Sequence, residues 1–196
     1  MKVIILAAGK GTRMKSDMSK VMHKVGGKPV INYILDSVHS LGSEEIFVVI
    51  GHQADKIKDS LKNEEKNIRY VLQEQQLGTG HAVMQVEQHL NECDEEEVLV
   101  LPGDCPLISA NTLKQLFLKH REENAIVSIL TTELPEPASY GRILRDEVGS
   151  VMGIREAKDC TKDQLNIKEI NTGIYLFKCS SLFEAIKEIN TNNKQK

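Results

Sequence analysis

The chain has no tryptophan, and aromatic residues make up only 4% of its 196 positions, so its interior must be built mainly from Ile, Leu and Val. It has no large excess of one charge. A formal net charge of −3 gives no general attraction to nucleic acid or to an anionic lipid surface. Any phosphate chemistry must therefore come from a local basic cluster. The four cysteines, Cys93, Cys105, Cys160 and Cys179, contain no CxxC pair and no histidine at ligand spacing. This argues against a structural zinc site and does not look like a disulfide framework. Long apolar runs are missing too. Val3 to Ala8 is far too short for a signal segment or a membrane span, and nothing later approaches that length. The expected setting is a reducing cytoplasm, with no membrane and no nucleic-acid partner. No internal repeat or low-complexity linker interrupts the chain, and the tail from Ile189 carries no stop feature that would mark a natural terminus.

What is present is an ordinary globular composition, 40% hydrophobic and 27% charged. It suits one domain over residues 1–196, burying roughly 70% of the surface its unfolded chain would expose. Short apolar runs rich in Val and Ile recur at Val3–Leu6, Ile46–Ile50, Tyr70–Leu72, Val98–Leu101, Ile126–Leu130 and Ile174–Phe177. Runs of this kind suit strands buried on both faces. Between them lie helix-period segments. Pro29 can open one, with Val30, Ile31, Ile34, Leu35, Val38 and Leu41 on one face before Gly42 stops it. Ser109 can cap another, and Ser181 with Glu184 fits a capping box near the end. Glu- and Lys-rich stretches, Lys62 to Lys66 and Asp94 to Glu97, read as solvated loops or helix ends. Alternating strands and helices predict an α/β fold: a Rossmann-like three-layer α/β/α sandwich around a mostly parallel, mixed sheet. In such sheets ligands bind beyond the carboxyl ends of the strands. The loops after Leu6, Leu72 and Leu101 are the places to look, with the segment before Ile174 if its strand runs antiparallel.

The first of these loops holds Gly9 and Gly11. A dinucleotide fingerprint needs a third glycine where this chain has Met14, and an acidic residue after the second strand, where Ile50 leads into Gly51-His52. A P-loop needs four residues between its glycines and then Lys-Ser or Lys-Thr, and the chain has neither. What remains is a glycine-rich turn followed by Lys10, Arg13, Lys15 and Lys20. It can cradle phosphate with backbone N–H groups and cations, or it can be a solvated β–α turn. The second loop, Gln73 to Ala82, offers side-chain amides able to pair with a nucleobase edge, beside Gly78-Thr79. Alone it also reads as a polar loop before a helix. In the third, Asp104 is a lone carboxylate at a strand end, suited to a hard cation that keeps water and phosphate as its other ligands, or to a turn before proline. Three such loops on one sheet edge are harder to dismiss than one.

"LAAGKGTRM…K", "QLGTGHA" and "GDCPL" together resemble the sugar-1-phosphate nucleotidyltransferases. "YGRI" (Tyr140–Ile143), "IREAKD" (Ile154–Asp159) and "EINTG" (Glu169–Gly173) narrow the resemblance to the uridyltransferase half of the bifunctional N-acetylglucosamine-1-phosphate uridyltransferase/glucosamine-1-phosphate acetyltransferases. The resemblance implies that Leu6, Ala7, Ala8 and Gly9 lie against uridine, and that Gln73 reads the uracil with Gly78 and Thr79 beside it. Asp104 would bind Mg²⁺, Arg13 and Lys20 the phosphates, and Gly141, Glu156 and Asn171 the N-acetylglucosamine part.

The implied reaction is Mg²⁺-dependent transfer of UMP from UTP to N-acetylglucosamine-1-phosphate. It needs no general base, which fits a chain without a convincing nucleophile–base pair. His23, His52 and His81 near the loops read as neutral structural or surface residues. Ser19 stands where the family usually has proline, and Pro102 where relatives often carry an aromatic residue. The family's second metal ligand, an asparagine, and its β-helix acetyltransferase lie beyond Lys196. The expectation is therefore a truncated domain, monomeric where full-length relatives are trimeric. A related transferase of other specificity, or a nucleotide-binding module without turnover, remains the alternative.

Overall fold

The computed structural model describes residues 1–9, 11, 14, 16–62, 67–90 and 96–188. Its chain forms two compact units, one of Met1–Ser128 together with the segment from Leu176 through the last helix, the other of Ile129–Tyr175.

In the first unit, strands β1 (Lys2–Leu6), β4 (Glu45–Ile50), β5 (Ile68–Leu72) and β6 (Glu97–Pro102) lie in the order β5-β4-β1-β6. The pairs β1–β4, β1–β6 and β4–β5 are all parallel. Parallel strands need crossovers, and helices α1 (Val30–His39), α2 (Ala54–Leu61), α3 (Thr79–Glu87) and α4 (Ala110–Glu122) lie between successive strands or follow the last. Side chains alternate across the sheet. Ile4, Phe47, Val49, Val98 and Val100 join Val83 and Val86 of α3 and Phe183 and Ile186 of α5 (Cys179–Lys187) in one apolar cluster. Their neighbours Val3, Ile5, Ile46, Val48, Leu99 and Leu101 point the other way and are fully buried as well. The unbroken Val/Ile runs thus reflect a sheet covered on both faces.

The order β5-β4-β1-β6 has a topological consequence. From β1 the chain builds outward through β4 and β5, then returns to add β6 on the opposite side. Such a switch point opens a crevice between the carboxyl ends of the two central strands. A short hairpin, β2 (Lys24–Val25) with β3 (Lys28–Pro29), turns through Gly26 and Gly27 at φ 57° and 84°, values that favour glycine. In the second unit, the Glu169–Tyr175 part of β10 (Glu169–Lys178) pairs antiparallel with β8 (Arg142–Arg145), which pairs antiparallel with β9 (Val151–Arg155). β7 (Val127–Glu133) pairs with β10.

Several expectations shift. The capping box at Ser181 does not form: α5 begins at Cys179, whose N–H donates to the Glu96 carbonyl at 2.8 Å and whose side chain is fully buried. Tertiary anchoring starts that helix two residues before Ser181. Glu97 opens strand β6 and does not lie in a loop, and its carboxylate accepts a bidentate pair of hydrogen bonds from Arg121 at 2.6 Å. Residues 63–66 and 94–95 of the polar stretches lie outside the described residues. Cys105 and Cys160 are free thiols, and Cys179 is fully buried. By contrast Ser109 caps α4 as its sequence suggests, its Oγ accepting from the Thr112 N–H at 3.0 Å.

Candidate active site

A cavity of about 310 Å³ opens in the first unit at the switch point. Its first wall is the chain leaving β1, Leu6 to Gly9. The Ala7 N–H donates to the Val49 carbonyl at 2.8 Å, and the Leu6 carbonyl accepts from the Gly103 N–H at 2.8 Å, so the loops after β1, β4 and β6 are tied backbone to backbone. That closeness needs glycine. A Cβ at Gly103 would stand 3.0 Å from the Leu6 carbonyl oxygen, and one at Gly51 would stand 3.1 Å from the Ala8 carbonyl oxygen.

The second wall comes from β5 and the start of α3. Gln73 is almost fully buried, its N–H donating to the Ile50 carbonyl at 2.8 Å. Its side-chain Nε2 donates to the Gly78 carbonyl at 3.1 Å and lies 3.0 Å from His81 Nδ1. Gly78 adopts φ 105° and leads into α3, so the free N–H groups of that helix start beside the cavity. Gln76, Thr79 and Ala82 complete this side. Sequence reading grouped Gln76 and His81 with the loop but assigned neither a task. Only the fold brings Gln76 into the lining and the His81 ring against Gln73.

The third wall carries the charge. Asp104, just beyond β6, is paired with the Lys20 ammonium, and both line the cavity. Lys20 is delivered by the turn from Asp17 to Ser19. The Ser19 N–H donates to Gln53 Oε1 at 2.9 Å, while Gln53 Nε2 donates to the Asp17 carbonyl. Gln53 thus grips that turn from both sides from its position just before α2, at φ 59°. Next to the acid, burial first and the Asp104 charge second push the Cys105 thiol up to about 11, so it stays protonated and is no nucleophile at neutral pH.

Of the residues singled out in the sequence, Leu6, Ala7, Ala8, Gly9, Lys20, Gln73, Gly78, Thr79 and Asp104 all line this one cavity. Arg13 lies outside the described residues. Gly141, Glu156 and Asn171 come together in the second unit: a Cβ at Gly141 would stand 3.4 Å from Glu156 Oε1 and 3.6 Å from the Asn171 Cβ. The Asn171 N–H donates to the Gly141 carbonyl at 2.9 Å, its Oδ1 accepts from the Gly173 N–H at 3.0 Å, and its Nδ2 donates to the Tyr175 hydroxyl at 2.6 Å. Asn171, Gly173 and Tyr175 lie within β10, which begins five residues before the run at Ile174. Arg142 is 2% exposed and donates to the Tyr140 and Ala138 carbonyls, so the arginine of "YGRI" holds the turn that presents Gly141.

Comparison with known proteins points the same way. The chain is 46% identical over 195 residues to the bifunctional protein GlmU of Syntrophomonas wolfei, covering 100% of this chain and 42% of that one. With GlmU of Thermoanaerobacter pseudethanolicus the identity is 48% over 192 residues, covering 98% and 41%. The chain therefore spans about two fifths of the length of these curated relatives. Among solved structures, UDP-glucose pyrophosphorylase complexed with UDP-glucose superposes with a TM-score of 0.80 at 21% identity, over 100% of this chain and 82% of that one, a likeness of fold. The model of the MobA-like NTP transferase domain matches residues 3–167, from the first residues of β1 to the segment just before β10. With the cavity at the switch point and that match over most of its length, this chain belongs to the MobA-like NTP transferase family and is a nucleotidyltransferase by class.

Proposed function

We propose that the chain transfers UMP from UTP to N-acetylglucosamine-1-phosphate, releasing pyrophosphate and UDP-N-acetylglucosamine. The observation that carries this reading is the meeting of Gln73, the β1 loop and the Lys20–Asp104 pair in one cavity. A base reader, a backbone cradle and a charge-compensating pair are what a nucleoside triphosphate requires. Leu6 to Gly9 and Gly78-Thr79 flank the uridine, and Gln73 Oε1, which makes no hydrogen bond among the described residues, accepts from the uracil N3–H.

The sugar-phosphate oxygen forms a new bond to the α-phosphorus as the bond to the β-phosphate oxygen breaks. The electron pair leaves with pyrophosphate. A phosphate dianion is already a nucleophile, so rate comes from alignment and from compensating charge. Lys20 supplies one such charge, and a guanidinium such as that of Arg13 is suited to supply a second. Asp104 fits a divalent cation of the Mg²⁺ kind: it is a hard oxygen donor facing the cavity, and its present counter-charge is a movable ammonium. When bound, that ion neutralises and orients the triphosphate. Water and phosphate oxygens are suited to share its shell with Asp104. Gly141, Glu156 and Asn171 contact the N-acetylglucosamine moiety. No helix among the described residues is long and apolar enough to cross a membrane, and we assign the reaction to the cytoplasm, where its triphosphate is made.

Incubation with UTP, N-acetylglucosamine-1-phosphate and Mg²⁺, followed by mass spectrometry, tests the reaction. The expected result is UDP-N-acetylglucosamine and pyrophosphate in equal amounts. Pyrophosphate without sugar nucleotide would refute the proposed acceptor.

A further inference from the structure

Building on the uridine reading above, we propose that His81 is a positioning residue for base selection: its ring fixes which end of the Gln73 carboxamide meets the base. A carboxamide is nearly symmetric in shape and can present either oxygen or nitrogen to a ligand. The two ends have opposite consequences here. Uracil offers an N3–H donor, which needs the amide oxygen. Cytosine offers a bare N3 acceptor beside an amino group, which needs the amide nitrogen.

Two contacts decide the orientation. The Gly78 carbonyl can only accept, so the Gln73 atom 3.1 Å from it must be Nε2. That same Nε2 lies 3.0 Å from His81 Nδ1, which therefore accepts, and the imidazole carries its proton on Nε2. Both amide hydrogens of Gln73 are then committed, and Oε1 is left for the ligand. A competing contact bears on the same ring. Gln85 Nε2 lies 3.2 Å from His81 Nε2 and 3.2 Å from the His81 carbonyl. A neutral imidazole accepts at one nitrogen only. In the tautomer that serves Gln73, Gln85 keeps the carbonyl as its acceptor. In the other tautomer an Nδ1–H would face the Gln73 amino group, and the amide would have to reverse. The Gly78 bond opposes that reversal from one side and His81 from the other.

Placement supports the assignment. His81 sits two residues into α3, and Gly78 directly precedes that helix. Rotation of the Gln73 amide is thus restrained by two neighbours in the short segment that also lines the cavity.

Calorimetric titration of the chain with UTP and CTP tests this, and does not depend on turnover. The wild-type chain is expected to bind UTP well above CTP. His81→Phe keeps the ring but removes both nitrogens, and should lower that ratio by about tenfold. His81→Asn puts a carboxamide oxygen near the place of Nδ1 and should keep the ratio within about threefold of wild type. A structural role alone would weaken both nucleotides together and leave their ratio unchanged. His81→Phe with an undiminished preference overturns the inference while leaving the uridine reading intact. A wild-type chain that does not prefer UTP overturns both. Should the Phe variant fail to fold, His81→Asn decides, and loss of its preference contradicts the role.

Discussion

Asp104 and Lys20 share one short ion pair at the edge of the cavity, and each is useful to a triphosphate in a different way. The carboxylate can take a metal ion, and the ammonium, once released, can follow the phosphates. Asp104→Ala should therefore cost metal-dependent turnover about 10³-fold while circular dichroism stays unchanged, since the residue packs no core. Activity that survives this change at the same Mg²⁺ concentration would remove Asp104 from the metal role. Arg13→Ala should lower turnover by about 10²-fold if its guanidinium compensates charge as the α-phosphorus is attacked. An unchanged rate would remove Arg13 from that role.

Whole elements, rather than single contacts, deliver these side chains. Lys20 depends on the turn before it, and that turn depends on Gln53, 34 residues away from Ser19. Gln53→Ala isolates the effect, because alanine carries the same backbone cost at φ 59° as glutamine and chiefly the two side-chain bonds are lost. Urea titration should register a loss of about 1 kcal/mol, chiefly from the Ser19 N–H left without its acceptor. No loss would mean water replaces Gln53. The Ser19 N–H that Gln53 holds is a donor that a proline at this position would lack.

The α4–β7 junction has its own pH response. His120 is 2% exposed with Nδ1 2.9 Å from Ser128 Oγ, and burial lowers its pKa below the ordinary 6.5. The fold therefore favours the neutral ring, and the stability this gives is present above pH 6.5 and falls away as pH drops toward the lowered value. Glu97 and Glu169 add a second loss further into acid, because bonds to Arg121 and Arg145 hold both carboxyls below 4.5. Unfolding followed from pH 7.5 to 5.5 should show stability falling in wild type and a flatter profile in His120→Gln. Equal slopes would contradict the assignment.

At the scale of the whole molecule, the parallel sheet and the three site loops were legible because β1, β4 and β6 are nearly unbroken apolar runs and each loop directly follows an apolar strand end. The second unit was harder to read. β8 mixes Ile143 and Leu144 with two arginines, one of them buried, so no periodicity marks it as a strand. Partnerships across the chain were not legible at all: Gln53 with Ser19, or the orientation that His81 imposes on Gln73, exists only once separate elements meet.

The central claim, that this fold selects UTP and a hexosamine phosphate, is tested most directly by initial rates of pyrophosphate release. UTP, dTTP, CTP and GTP should each be paired with N-acetylglucosamine-1-phosphate and with glucose-1-phosphate at fixed Mg²⁺. The expected result is the highest rate with UTP and N-acetylglucosamine-1-phosphate, with CTP and GTP lower by at least about tenfold. A clear preference for dTTP with glucose-1-phosphate, or no release from UTP with any acceptor, would contradict it.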